Sequence, residues 1–101
     1  MAISAKTTAD GSQLNISIVG RFDFSSHQEF RKAYEDVAVS PAGYTVDMRD
    51  TTYLDSSALG MLLLLRDHAG GDEAHISIVN CNDDVKKILT ISNFEQLFDI
   101  H

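Results

Sequence analysis

The sequence has one cysteine, one proline and no uninterrupted apolar stretch near the roughly eighteen residues that a membrane-spanning helix needs. Its first ten residues also lack the basic-then-apolar pattern of a signal peptide. These absences predict a cytoplasmic protein that does not insert into membranes. The single cysteine, Cys81, cannot form an internal disulfide, and its apolar neighbours predict a small buried side chain rather than a reactive thiol.

Positive charge is also scarce, because eight basic residues face fifteen acidic ones and the formal net charge is -7. Such a surface repels nucleic acid and is a poor match for anionic membranes, but it suits a protein partner with a basic or mixed face. With 101 residues, 44% of them hydrophobic, the chain is expected to form a single domain over residues 1–101, built around one core.

Alternating apolar residues predict strands at residues 3–8, 14–19, 44–48 and 74–79, the first two joined by a hairpin turn at Asp10-Gly11. Ser26 followed by Glu29 resembles a capping box, so a helix is expected from there to near Val39. Another helix is expected behind a cap at Asn82 or Asp83. This order predicts an α/β fold, in which helices cover a mixed four- to five-stranded sheet that begins with an antiparallel hairpin and continues through parallel crossovers.

The run at residues 59–65 contains almost no polar side chain. A helix that is apolar all round must be covered on several faces, so replacing Leu62 or Leu63 by alanine is expected to cost about 2–5 kcal/mol. Gly70-Gly71 is available for a left-handed cap at its end. Near the C-terminus, apolar residues are expected to close the core, with a short final strand: Phe94, Leu97, Phe98 and Ile100.

Small polar residues are concentrated at positions 50–60, between a strand and this apolar helix. In α/β sheets the loop after the carboxyl end of a strand is the usual place for function. A hydroxyl on the first helical turn there is exposed, and the helix dipole favours a phosphoryl group on it. From the residues alone, however, the favoured interpretation is that Asp55 or Ser56 is a plain helix cap.

The stretch LDSSALG at residues 54–60, followed by five apolar residues, resembles the signature of bacterial anti-sigma factor antagonists, which have the STAS fold. GRFD at residues 20–23 is similar to the family's stretch that ends the second strand. The resemblance implies that Ser56 is phosphorylated and that Ala58 replaces a glycine common in the family. The partner-binding residues that it implies are Asp23, Asp55, Ser56, Ser57 and Ala58.

The resemblance also implies a mechanism in which the unphosphorylated protein binds an anti-sigma factor with a histidine-kinase-like ATPase fold and so frees a sigma factor. That partner phosphorylates Ser56, and a metal-dependent serine phosphatase, in some relatives fused to a response regulator, reverses the reaction. No cofactor is implied. Two alternatives remain: a STAS-type accessory subunit of an ABC-type membrane transporter, in which the serine is structural, and a stand-alone nucleotide-binding protein.

Catalytic patterns are missing from the sequence. The Gly-x-Ser-x-Gly elbow of hydrolases and the phosphate-binding loop that ends in Gly-Lys-Ser/Thr do not occur. The histidines are scattered without the spacing of metal ligands, at His27, His68, His75 and His101. Asp47 and Asp50 follow a strand as in receiver domains, but the paired acidic residues expected after the first strand are absent. The sequence therefore predicts a binding protein rather than an enzyme, with no metal site.

Overall fold

The computed structural model describes residues 3–37 and 41–101. Within them the chain forms seven strands and three α-helices, with short 3₁₀ turns between some of them. The strands are β1 (Ile3–Thr7), β2 (Gln13–Ile18), β3 (Gly20–Phe22), β4 (Gly43–Asp47), β5 (Thr51–Leu54), β6 (Ile76–Val79) and β7 (Asp99–Ile100). The helices are α1 (His27–Glu35), α2 (Ser56–His68) and α3 (Asp83–Ile91).

Five strands form the main sheet in the order β1-β2-β4-β6-β7. β1 and β2 are antiparallel, whereas β2, β4, β6 and β7 pair in parallel, which confirms the predicted mixed sheet. The hairpin turn also lies where it was predicted, because Thr8 N–H donates to the Gln13 carbonyl at 2.9 Å and Gly11 has a φ of +75°.

One face of the main sheet is apolar and builds the core together with the helices. Leu14, Ile16 and Ile18 of β2 share this face with Val46 of β4 and Ile78 of β6, and all are at most 1% exposed. The core cluster includes apolar side chains of all three helices. Phe94 and Phe98 close it at the C-terminus as expected, but Leu97 is 40% exposed, so the prediction was wrong for that residue.

A second, two-stranded sheet pairs β3 with β5 in parallel. GRFD was predicted to end the second strand, whereas the chain leaves β2 and enters this separate sheet at Gly20, whose φ is +82°. Strands of three and four residues are too short to show an alternating pattern. The two sheets are tied together by the Thr51 hydroxyl, which donates to the Ile18 carbonyl at 2.9 Å.

α1 begins where it was predicted, directly after Ser26, but without the predicted capping box, and it ends earlier than predicted. Ser26 makes no side-chain cap bond, and its hydroxyl donates instead to the Arg21 carbonyl at 3.3 Å. The capping box therefore does not form, because Ser26 is already part of a 3₁₀ turn that Asp23 caps. The helix ends at Glu35, since Asp36 is a weak helix former with a negative charge at the negative end of the dipole. The predicted end near Val39 lies outside the described residues.

Only part of the apolar run in α2 is buried. Met61, Leu62 and Leu65 face the core, whereas Leu63 is 41% and Leu64 51% exposed. The prediction that the helix is covered on several faces was therefore wrong for these two leucines. Residue type indicates that a side chain is apolar, but the packing of α2 decides which side is covered. Beyond the end of α2, Gly70 has a φ of +119°.

Candidate functional site

The candidate site lies where the two strands of the small sheet end. Phe22 of β3 pairs with Leu54 of β5, and both side chains are buried. Asp23 and Asp55 follow with extended backbones, so the alternation of a strand continues through them and places them on the opposite, outer side. The register thus brings two carboxylates side by side, although they are 32 positions apart in the sequence.

Asp55 caps α2. Its Oδ1 accepts a hydrogen bond from the Ala58 backbone N–H at 3.1 Å and another from the Ser57 hydroxyl at 2.6 Å. The bond from the Ser57 hydroxyl, followed by that from Ala58, holds the pKa of the Asp55 carboxyl below its usual value. Asp55 is therefore ionised at neutral pH, and the Ser57 hydroxyl donates its hydrogen bond to this carboxylate.

Asp23 repeats this arrangement at the 3₁₀ turn before α1. Its Oδ1 accepts hydrogen bonds from both the backbone N–H and the hydroxyl of Ser25, and its Oδ2 lies 3.3 Å from Arg21 Nε. The Ser25 hydroxyl lowers the pKa of Asp23 most, and Arg21 lowers it further. Because the charge of Asp23 in turn raises the pKa of Asp55, the two carboxylates act on each other electrostatically.

Ser56 is the first residue of α2 and is exposed. Within residues 3–37 and 41–101 its hydroxyl has no hydrogen-bond partner, in contrast to the hydroxyl of half-buried Ser57. The positive end of the α2 helix dipole lies beside it. Of the two serines, Ser56 therefore has the hydroxyl that an outside molecule can reach.

Ala58 does not share this exposure. Its side chain is 0% exposed and belongs to the core cluster, so the methyl group points away from Asp23, Asp55 and Ser56. The structure thus brings four of the five predicted partner-binding residues to one surface and places the fifth beneath it.

The apolar part of this surface was not predicted from the sequence. Leu63 and Leu64 follow Ser56 at helical spacing and are exposed along the same side of α2, between Gly60 and the charged Asp67. These two leucines form the apolar stripe of α2. Phe24, directly after Asp23, is 73% exposed and stacks on the His27 ring at a centroid distance of 5.7 Å. The available signal for Phe24 was its position between two polar residues in a loop.

Arg21 is the other residue that the sequence did not single out. It pairs with Tyr53 across the small sheet, and its guanidinium carbon lies 4.2 Å from the centre of the Tyr53 ring. The outer side of the small sheet therefore carries an arginine held between an aromatic ring and the carboxylate of Asp23.

The other groups that could take part in chemistry lie apart from this surface. Cys81 is half-buried, and burial raises the pKa of its thiol, as expected for an unreactive cysteine. No group of three or more histidine, cysteine or acidic side chains in the described ranges is placed to hold a metal ion. Within the same part of the chain, none of the helices combines the length and apolarity needed to span a bilayer.

Two sequence comparisons with known proteins both match STAS domains. A family model described as "Mlab, STAS domain" matches residues 5–99. A STAS-domain containing protein from Pseudomonas aeruginosa (strain UCBPP-PA14) is 67% identical over 100 residues, which cover 99% of this chain and 99% of that protein.

Solved structures share the fold at low sequence identity. An anti-sigma factor antagonist from Mycobacterium paratuberculosis has a TM-score of 0.76 at 16% identity, over 98% of this chain and 85% of that one. The Bacillus cell fate determinant SpoIIAA in its phosphorylated form has a TM-score of 0.68 at 14% identity, over 99% and 91% of the two chains. A sulfate transporter family protein from Wolinella succinogenes has a TM-score of 0.74 at 14% identity, over 84% and 70%.

Proposed function

The chain belongs to the STAS domain family, and from this premise we propose that it is an anti-sigma factor antagonist controlled by phosphorylation of Ser56. In the unphosphorylated form it binds a kinase-type anti-sigma factor with a histidine-kinase-like ATPase fold. That partner transfers the terminal phosphoryl group of ATP to Ser56 Oγ: the bond to ADP breaks, ADP leaves, and the hydroxyl proton passes to solvent. The phosphorylated protein then dissociates from the anti-sigma factor. A metal-dependent serine phosphatase, in some systems fused to a response regulator, restores the binding form.

The observation that carries this proposal is the exposed hydroxyl of Ser56 at the start of α2, which has no hydrogen-bond partner in the described part of the chain and follows Asp55, whose carboxylate lies near that of Asp23. The neighbouring Ser57 hydroxyl is held by Asp55 at 2.6 Å, which favours Ser56 as the acceptor. SpoIIAA, which shares the fold, has a phosphorylated form, and this likeness supports the same type of modification here.

The charge around Ser56 explains how phosphorylation acts without a large conformational change. A phosphoserine adds about -1.5 to -2 charges at neutral pH, beside two carboxylates whose lowered pKa values keep them ionised. The N-terminal end of α2 stabilises the new charge where it forms. A partner surface that fits a neutral hydroxyl then buries an unpaired charge, and a cost of even about 3 kcal/mol weakens binding roughly a hundredfold.

The apolar stripe on α2 gives this binding surface its area. Leu63 and Leu64 are exposed on the side of the helix that begins at Ser56, and Phe24 is exposed at the neighbouring turn. Exposed apolar side chains next to polar groups are typical of protein-protein contact surfaces. This surface and the acidic net charge of -7 suit a protein partner with a mixed apolar and basic face. We place the protein in the cytoplasm, as a single non-enzymatic domain over residues 1–101.

A second candidate function is that of an accessory subunit of an ABC-type membrane transporter. The observation in its favour is the likeness of the fold to the sulfate transporter family protein from Wolinella succinogenes. In that role the serine is structural and is not phosphorylated. A pull-down with the intact chain separates the two functions, because it recovers either a kinase-like anti-sigma factor or transporter subunits.

The main test locates the phosphate and measures its effect. Incubation with ATP and the cognate kinase, followed by peptide mass mapping, should place phosphate on Ser56, and phosphate on Ser57 alone would contradict the assignment. In titration calorimetry Ser56→Ala should bind the anti-sigma partner like the wild type, whereas Ser56→Asp should bind more weakly. Equal affinity of Ser56→Asp and Ser56→Ala would mean that charge at this position is not the switch.

A further inference from the structure

Arg21 is the one basic residue in the small sheet and the two capped turns that follow it, residues 20–26 and 51–58. Its side chain is 66% exposed. It is placed by two weak contacts, the Tyr53 ring at 4.2 Å and the Asp23 carboxylate at 3.3 Å. Ion pairs with this exposure contribute little to stability, so Arg21 can exchange its partner at low cost.

The register places Arg21 on the strand next to the one that leads into Ser56. Arg21 pairs with Tyr53, and Phe22 pairs with Leu54, so Asp23 and Asp55 leave the sheet on adjacent strands about 4.8 Å apart. Ser56 follows Asp55 after a Cα step of about 3.8 Å. Arg21 and Asp23 lie on the same outer side because alternate residues of a strand share a face, and the Arg21–Asp23 contact directs the guanidinium towards this end of the sheet.

We infer that Arg21 is the residue that holds the phosphoryl group of Ser56, by exchanging its ion pair with Asp23 for one with the phosphate. A phosphate of nearly two charges attracts the guanidinium more strongly than one carboxylate does, and its oxygens fit the planar N–H donors of arginine. The Tyr53 ring supports the guanidinium in both states. Arg21 thereby stabilises the dianion in a pocket of negative charge formed by Asp23 and Asp55.

This inference rests on the proposed role of Ser56 as the phosphoacceptor, but its test needs neither a kinase nor an anti-sigma factor. Phosphoserine is installed at position 56 by codon suppression, and the second pKa of the phosphate is measured by ³¹P NMR titration. A neighbouring cation favours the dianion, so Arg21→Gln should raise this pKa by about half a unit, the size expected for an exposed ion pair.

Two controls accompany the variant. Lys6→Gln removes the same charge from the exposed edge strand β1 and should leave the phosphate pKa unchanged, whereas Arg21→Lys should give an intermediate value. In the wild type the Arg21 Nε–H resonance should shift when position 56 carries phosphate. An identical phosphate pKa in wild type and Arg21→Gln, or an Arg21 Nε–H chemical shift that is the same with and without the phosphate, would overturn the inference. If no kinase phosphorylates the chain, or no anti-sigma factor binds it, that result would instead contradict the proposed function alone.

Discussion

Two adjacent leucines of α2 provide a sharp test of how this helix packs. Leu62 is 0% exposed and belongs to the core cluster, whereas Leu63 is 41% exposed. Truncation of Leu62 to alanine removes buried methyl groups and leaves a cavity, which costs about 2–5 kcal/mol. Truncation of Leu63 removes atoms that are partly in water already and leaves no closed cavity, so the expected cost is about 1 kcal/mol or less.

Chemical denaturation followed by circular dichroism measures the free energy of unfolding of both variants. The two losses can be compared directly, because the two substitutions remove the same atoms from the same helix. The stability of a small domain is about 5–15 kcal/mol, so the loss from Leu62→Ala should lower the transition midpoint clearly. Equal losses for the two variants, or a larger loss for Leu63→Ala, would refute the packing of α2 described above.

The exposed leucine of this pair, Leu63, also allows an effect on binding to be measured separately from an effect on folding. Leu63→Ser should weaken the complex with the anti-sigma factor while it lowers the transition midpoint much less than Leu62→Ala does, because Leu63 lies on the exposed side of α2 that begins at Ser56. Calorimetry with the purified partner is the measurement. Unchanged affinity of Leu63→Ser would show that the partner contact does not extend along α2.

Two further predictions concern the loops around the sheet. Asn82 Oδ1 accepts from the Val85 N–H at 2.9 Å and its amide donates to the Thr51 carbonyl at 3.0 Å, so Asn82→Ala should cost about 1–2 kcal/mol in a denaturation curve. Asn82→Asp, which keeps the cap, should cost less, and equal costs would show that the cap is not the stabilising feature. Hydrogen bonds from the Ser12 N–H, the Ser12 hydroxyl and the Thr8 hydroxyl lower the pKa of Asp10 from 3.8 to about 2. Between these two pH values the unfolded chain binds more protons than the folded one. The contribution of Asp10 to the free energy of unfolding is therefore lost as the pH falls from about 4 to about 2. Asp10→Asn should lose less stability than the wild type between about pH 4 and pH 2, and parallel losses in urea titrations would contradict these bonds.

The hairpin, the main parallel strands and the α3 cap could be predicted because their signals are local. Asp10-Gly11 supplies a turn, the alternation of Leu14, Ile16 and Ile18 marks one face of a strand, and Asn82 precedes an amphipathic helix. Ser26 and Glu29 carried an equally local signal, which marked the start of α1 correctly but predicted a capping box that does not form. A cap at Asp23, three residues earlier, had already drawn the chain into a 3₁₀ turn.

The sequence by itself determined that the helix after LDSS is apolar, that Asp55 and Ser56 lie at its start, and that the surface is acidic. The tertiary structure alone decided which leucines of that helix meet the core and which remain in water, because coverage depends on the elements packed around α2. It also decided that Asp23, Asp55 and Arg21 share one surface, because only the pairing of β3 with β5 brings together residues more than 30 positions apart. Side-chain chemistry is local, whereas burial and proximity depend on how distant segments pack.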